Sequence, residues 1–163
     1  MLFASLNTVY LQYMADIDQL NAKILRELTG NGRISNLDLA ERIGLSPSAC
    51  LRRVQELERS GVITGYRAML DPGKTGIGFL AYVTVGLSTH TKAAQVDFER
   101  AMAAAPQVRE CHNVAGAFEY LLRVEVADLP AYKHFHGEVL GKQAQVNSIT
   151  TYVVMETSKD ERG

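Results

Sequence analysis

Little in this sequence marks a special environment, and what it lacks narrows the possibilities. It has no tryptophan and two cysteines in 163 residues. Cys50 and Cys111 stand far apart in segments of different kinds and fit neither a disulfide framework nor a metal-ligand spacing. They read as structural thiols of a reducing cytosol, so a cytoplasmic protein with no metal and no cofactor is expected. No apolar run approaches the roughly 20 residues of a membrane span. The stretch Met1–Met14 lacks the basic start and clear cleavage site of a signal peptide, and Met14 directly precedes the first convincing helix, which leaves both methionines as candidate starts. Charge of one sign is missing too: 17 Lys/Arg oppose 18 Asp/Glu, a formal net charge of -1. Up to Lys74 the count is nine against eight, and from Thr75 it is eight against ten. Any nucleic-acid binding must therefore rest on a local patch. There is no internal repeat, no low-complexity tract, no phosphate-binding glycine loop, and no Ser/His/Asp or Cys/His arrangement.

What is present is ordinary for a soluble globular protein of one or two small domains, with 47% apolar and 21% charged residues. Asp18 can cap a helix running to about Thr29, in which Leu20, Ile24 and Leu28 recur at helical spacing. Gly30-Asn31-Gly32 breaks it. Ser35 or Asn36 caps a second helix whose inward residues are Leu39, Ala40 and Ile43, and Gly44 ends it. Ser46-Pro47 opens a third helix, with Ser as cap and Pro where a missing N–H does no harm. Its inner face is Cys50, Val54 and Leu57, and Gly61 stops it. Val62-Ile63 and Tyr66 to Leu70 then read as two strands of a small wing around Thr64-Gly65, and Asp71-Pro72-Gly73 as a turn.

The remainder reads strand, helix, strand, strand, helix, strand: Phe79–Leu87, Lys92–Ala105, Val108–Val114, Tyr120–Val126, Ala131–Leu140 and Ile149–Met155. That βαββαβ order predicts a ferredoxin-like unit with two helices on one face of an antiparallel sheet. The fold class is α+β, a winged helix-turn-helix followed by this unit. The expected boundaries are a disordered extension at 1–15, the winged helix-turn-helix domain at 16–64, wing and linker at 65–77, the ferredoxin-like domain at 78–158, and a tail at 159–163.

Three short helices with a glycine turn between the second and third place the third in a DNA major groove, N-terminus first. Its inner side is occupied by packing, and its outer side carries Ser48, Ala49, Arg52, Arg53 and Gln55. Small residues allow close approach, and an arginine fork can take guanine bidentately or grip phosphate. One of Arg52 and Arg53 is expected on a base edge and the other on phosphate. Backbone N–H groups from Ser46 to Ser48 add an anion site. The expected partner is double-stranded DNA.

The run from Asp38 to Val54, DLAERIGLSPSACLRRV, together with Leu57–Ile63 and Gly65-Tyr66, resembles the DNA-binding signature of the Lrp/AsnC family of transcription regulators. Gly116–Leu122 and Thr151–Glu156 resemble that family's ligand-sensing domain. The match runs from about Ile17 to Thr157. It implies a regulator that self-associates through its C-terminal sheets as a dimer and further as an octamer. It also implies a free amino acid or related small molecule as effector, held near Gly116, Ala117, Phe118, Glu119 and Tyr120 and the last strand at Thr150 and Tyr152.

The sequence departs from the family where that ligand would sit. Ala117 occupies a position that usually holds Asp, the natural partner of a ligand ammonium. Such a charge-assisted bond is worth roughly 1.5–3 kcal/mol, so ordinary apolar amino acids are expected to bind weakly. Thr150 stands where Arg is common, and Gly141–Gln145 lacks the usual Leu-Pro-Gly. An effector-independent, DNA-organising architectural protein is therefore an alternative. A remoter one is an enzyme like the sirohaem decarboxylases, which share the two-domain architecture. Its histidines would have to come from His90, His112, His134 and His136, of which the last two point in different directions on one helix. The expectation is that the protein is not an enzyme.

Overall fold

The computed structural model describes residues 18–160. The expected extension at 1–15 and the end of the tail at 161–163 lie outside them. The chain divides at Met69/Leu70 into two compact units.

The first unit holds α1 (Gln19–Gly30), α2 (Asn36–Ile43) and α3 (Pro47–Arg59). Each begins on a side chain that accepts an orphan backbone N–H: Asp18 from Asn21, Ser35 from Asp38 and Ser46 from Ala49. The turn between α2 and α3 pivots on Gly44 at φ 75°, a left-handed conformation that glycine adopts without penalty. Ile24, Leu39, Ala40, Ile43, Cys50 and Leu57 form the buried core, with Val54 and Ile63 packed against it.

The expected wing strands at Val62-Ile63 and Tyr66–Leu70 do not form; apart from the half-buried Ile63 the chain there is exposed and forms no strand. A lone two-stranded hairpin is marginal in water, and this segment finds other partners. Ile63 donates its N–H to the Leu57 carbonyl at 3.0 Å. The Tyr66 hydroxyl donates to Glu58 Oε1 at 2.9 Å, and its ring lies against Gly32. Residues 61–66 are thus strapped to the C-terminal end of α3. A short 3-10 turn follows at Gly73–Thr75.

The second unit has β1 (Phe79–Leu87), α4 (Lys92–Ala104), β2 (Val108–Asn113), β3 (Tyr120–Val126), α5 (Leu129–Phe135) and β4 (Val146–Val153). The strands form one antiparallel sheet in the order β2-β3-β1-β4, the ferredoxin-like arrangement expected from the element order. Alternation assigns the two faces. Ala81, Val83, Val85 and Leu87 of β1 and Tyr120, Leu122, Val124 and Val126 of β3 meet Phe98 and Met102 of α4 and Tyr132 and Phe135 of α5 in one core. Leu80 and Tyr82 of β1 and Leu121 and Arg123 of β3 lie on the other face.

The largest departures from the expected bounds are at the last strand, which also ends two residues early at Val153, and at the second helix. The last strand begins three residues early, at Val146, because Leu87 pairs with it across a bulge. The second helix starts at Leu129 because Asp128 caps it through the Ala131 N–H at 2.8 Å. It then widens into a π turn at His136–Leu140, closed by the Gly141 N–H on the His136 carbonyl at 2.9 Å. That wider turn places Leu140 in the core.

Candidate nucleic-acid interface and effector turn

The N-terminal end of α3 is built from small groups. Ser46 caps it, and its Oγ lies 3.3 Å from Ser48 Oγ. Ala49 follows, half-buried. The Asn36 amide donates to the Pro47 carbonyl at 2.9 Å, tying the start of α2 to the start of α3. Arg52 and Gln55 are exposed, and Arg52 has no hydrogen bond or ion pair to another described residue. Its fork is free for a ligand.

Arg53 is placed differently from Arg52. Its Nη1 donates to Asp18 Oδ2 at 2.6 Å and to Asn21 Oδ1 at 3.0 Å. Three and four residues from Cys50 and Leu57, it shares their flank of the helix and turns toward α1 instead of solvent. Asp18 meanwhile accepts the Asn21 N–H. That bond, and then Arg53, hold its carboxyl below the usual carboxylate range. The pair fastens the recognition helix to the N-terminus of α1. Sequence reasoning missed this because two adjacent arginines look alike until the inner face is placed to within one residue. It also passed over Leu51, which is 46% exposed on α3.

In the second unit the turn from Val114 to Glu119 links β2 to β3. The Val114 N–H donates to the Glu119 carbonyl at 2.8 Å, and the Glu119 N–H to the Val85 carbonyl at 3.1 Å. Gly116 and Ala117 are exposed, and Phe118 is half-buried. The Glu119 carboxylate is already engaged, accepting the Leu87 N–H at 2.8 Å on Oε2 and facing His90 Nδ1 at 3.3 Å through Oε1. On the open sheet face Gly86 lies between Glu119 and Ser148. Thr84 lies one row further in, between Leu121 and Thr150, and Tyr82 between Arg123 and Tyr152. Glu119, Thr150 and Tyr152 therefore share a face at successive rows. Gly86 leaves room for these side chains: a Cβ there would strike Ser148 Oγ and come within 2.8 Å of Asn147 Oδ1, so both would have to turn aside. Asn147 and Ser148 carry no local sequence signal for this role; only strand pairing brings them to the turn.

Tyr120 does not join that cluster. It is fully buried on the helix-covered face, stacked at 4.6 Å on Phe98, with its hydroxyl donating to Glu99 at 2.8 Å. Burial, and then the Glu99 carboxylate, push its pKa up to about 12. Cys111, also beside Glu99, is exposed at the sheet edge, yet the surrounding protein, and then the Glu99 carboxylate, push its pKa up to about 11, which keeps the thiol protonated at neutral pH. The open face further carries an ion network that the sequence did not announce. Arg123 meets Glu125 at 2.5 Å and Glu110 at 3.8 Å, Arg109 meets Glu125 at 3.5 Å, and His112 lies 3.3 Å from Glu110. Among the described residues no cluster of His, Cys, Asp and Glu is suited to a metal ion, and no helix is long and apolar enough to cross a membrane.

A helix-turn-helix with an unobstructed third helix, followed by a separate α+β unit whose sheet is covered on one side, defines a DNA-binding regulator of the two-domain type. Residues 17–64 match the family model for a winged helix-turn-helix DNA-binding domain, and residues 80–163 match that for the Lrp/AsnC ligand binding domain. The leucine-responsive regulatory proteins of Escherichia coli and Salmonella typhimurium are 42% identical over 144 residues, 88% of this chain and 88% of theirs. A transcriptional regulator of Neisseria meningitidis, solved as its L-Met complex, superposes with a TM-score of 0.85 at 34% identity, covering 88% of this chain and 93% of that one. An AsnC family regulator of Agrobacterium tumefaciens gives 0.84 at 33%, covering 88% and 94%. The feast or famine regulatory protein of Mycobacterium tuberculosis complexed with L-methionine gives 0.79 at 30%, covering 90% and 97%. The chain belongs to the Lrp/AsnC family of transcription regulators.

Proposed function

We propose that this regulator reads a specific operator through Ser46, Ser48, Ala49, Arg52 and Gln55, works in the cytoplasm as a dimer and higher oligomer, and answers to a small-molecule effector at the Gly116–Glu119 turn. The observation that carries the DNA reading is the contrast between the two arginines. Arg52 is exposed with nothing to bind, while Arg53 already holds Asp18 and Asn21. Arg52 is thus the base- or phosphate-reading group, and Arg53 positions the helix. Self-association is supported by the sheet face that no helix covers, with Leu80, Tyr82, Leu121 and the 57% exposed Tyr152 on it. The relatives described above are regulators.

For the effector, Ala117 offers a methyl group and the Glu119 carboxylate is already partnered, so the turn suits a ligand that brings no ammonium, or one that displaces His90 from Glu119. The same engagement of Glu119 favours the effector-free architectural reading as runner-up. Both parts are tested together. From a random duplex pool the full-length protein should select one operator. Arg52→Ala should weaken binding to it by roughly 1–3 kcal/mol, and Arg53→Ala should instead lower thermal stability. A thermal-shift screen of amino acids and their oxo-acid counterparts should find a stabilising ligand. Saturation at a hundred times Kd is worth about 2.7 kcal/mol. Enrichment of no sequence would sink the operator reading, and a flat screen would leave the architectural reading.

A further inference from the structure

We infer that Leu51 is a base-reading residue that takes the C5-methyl group of a thymine in the major groove. The inference rests on the operator-reading role proposed for α3 and adds a residue and a base class to it. Leu51 is 46% exposed, whereas Leu39 and Leu57 are 2% and 4% exposed in the same unit. It is absent from the buried core and from the partly buried residues packed on it, which include Val54 of the same helix. Packing therefore does not explain a leucine here.

Its position does. Ser48 lies three residues before it and Gln55 four after, so the three share one flank of the helix, and Ser48, Arg52 and Gln55 are all exposed. With Arg53 drawn away to Asp18, Leu51 is the apolar member of the outward face. In the major groove the methyl group of thymine is the apolar feature that distinguishes a base pair, and the small residues Ser48 and Ala49 let the helix approach closely enough to meet it. A hydrogen-bonding Gln55 beside an apolar Leu51 fits a step in which one base offers polar edge atoms and its neighbour a methyl.

Deoxyuridine removes that methyl and leaves the pairing edge intact, which makes it the probe. Each thymine of the operator selected by the full-length protein is replaced singly by deoxyuridine, and Kd is measured for wild type, Leu51→Ala and Leu51→Met. Wild type should lose about fourfold at one thymine per half-site, the value of one buried methyl at about 0.8 kcal/mol. Leu51→Ala should bind the thymine and deoxyuridine operators equally at that position, whatever its overall affinity, and Leu51→Met should keep most of the discrimination. Wild type indifferent to deoxyuridine at every position overturns the inference and leaves operator reading intact. So does a Leu51→Ala protein as sensitive as wild type. Failure to select any operator removes the role on which the inference rests.

Discussion

Among the described residues the DNA-reading unit is held by six buried ones, Ile24, Leu39, Ala40, Ile43, Cys50 and Leu57, whereas fourteen form the core of the sensor unit. The smaller core is supplemented by polar ties: three helix caps, the Arg53–Asp18 pair between α3 and α1, and Arg42 on Glu27 at 3.0 Å. The sensor unit carries polar ties as well, among them the Asp128 cap and the Arg123–Glu125 pair, but it adds them to a sheet in which every strand is paired with a neighbour and one face is sealed by α4 and α5. A small domain buries a smaller share of its surface and leaves less margin per residue. The difference teaches where each unit is vulnerable: the first to loss of any one core side chain, the second to disturbance of the polar groups its core encloses.

The hardest test of that contrast is Ile24→Ala. Ile24 is fully buried, and truncation should cost about 2–5 kcal/mol. That is enough to unfold the first unit and abolish DNA binding. The sensor unit should stand. Because the chain lacks tryptophan, near-UV circular dichroism is governed by tyrosines such as the buried Tyr120 and Tyr132. Loss of that signal together with DNA binding would show that the two units do not unfold separately.

A smaller effect is expected from Tyr120→Phe, which removes the hydroxyl donated to Glu99 and should cost the sensor unit about 1 kcal/mol in denaturant titration. Its pH signature is sharper. The folded pKa of about 12 exceeds the ordinary phenol value of 10.0, so the neutral phenol is favoured by folding. The contribution is complete below pH 10 and lost as pH rises toward about 12. The phenylalanine variant should flatten alkaline unfolding in that window, and unchanged alkaline unfolding would assign the loss to other groups.

The smallest effect belongs to Asp18. Its carboxyl is held below the ordinary value, first by the Asn21 N–H and then by Arg53. Its contribution is therefore present above the unfolded carboxylate pKa and lost as pH falls through the lowered folded value. Acid melting of the first unit should shift slightly to higher pH in Arg53→Met. An identical acid limb in wild type and variant would mean that the cap bond alone sustains Asp18.

Much of this architecture was legible because it is local. Asp18, Ser35 and Ser46 announce their helices by residue type, and Gly44 announces its turn. The alternation of Tyr120, Leu122, Val124 and Val126 announces a half-covered strand. In that strand Tyr120 faces the core, whereas the family resemblance placed it with the effector turn. What stayed hidden depends on distant partners. The wing expected around Thr64-Gly65 needs a paired neighbour for each strand, and Tyr66 meets Glu58 and Gly32 instead. Asn147 and Ser148 reach Gly86 only through the register of β4 on β1.

The π turn at His136–Leu140 closes a ring one residue wider than an α-helix would, with Gly141 reaching back to His136. Phe135 and Leu140 both point into the core across it, five residues apart, where an α-helical turn would bring residues four apart to the same side. The helix therefore carries one residue of slack. A chain one residue shorter between these anchors, lacking for example the exposed Gly137, can restore the narrower ring and still seat both. Length variation among relatives in this helix is thus compatible with an unchanged sensor core, while the same deletion inside β1 or β3 would turn every following side chain to the wrong face.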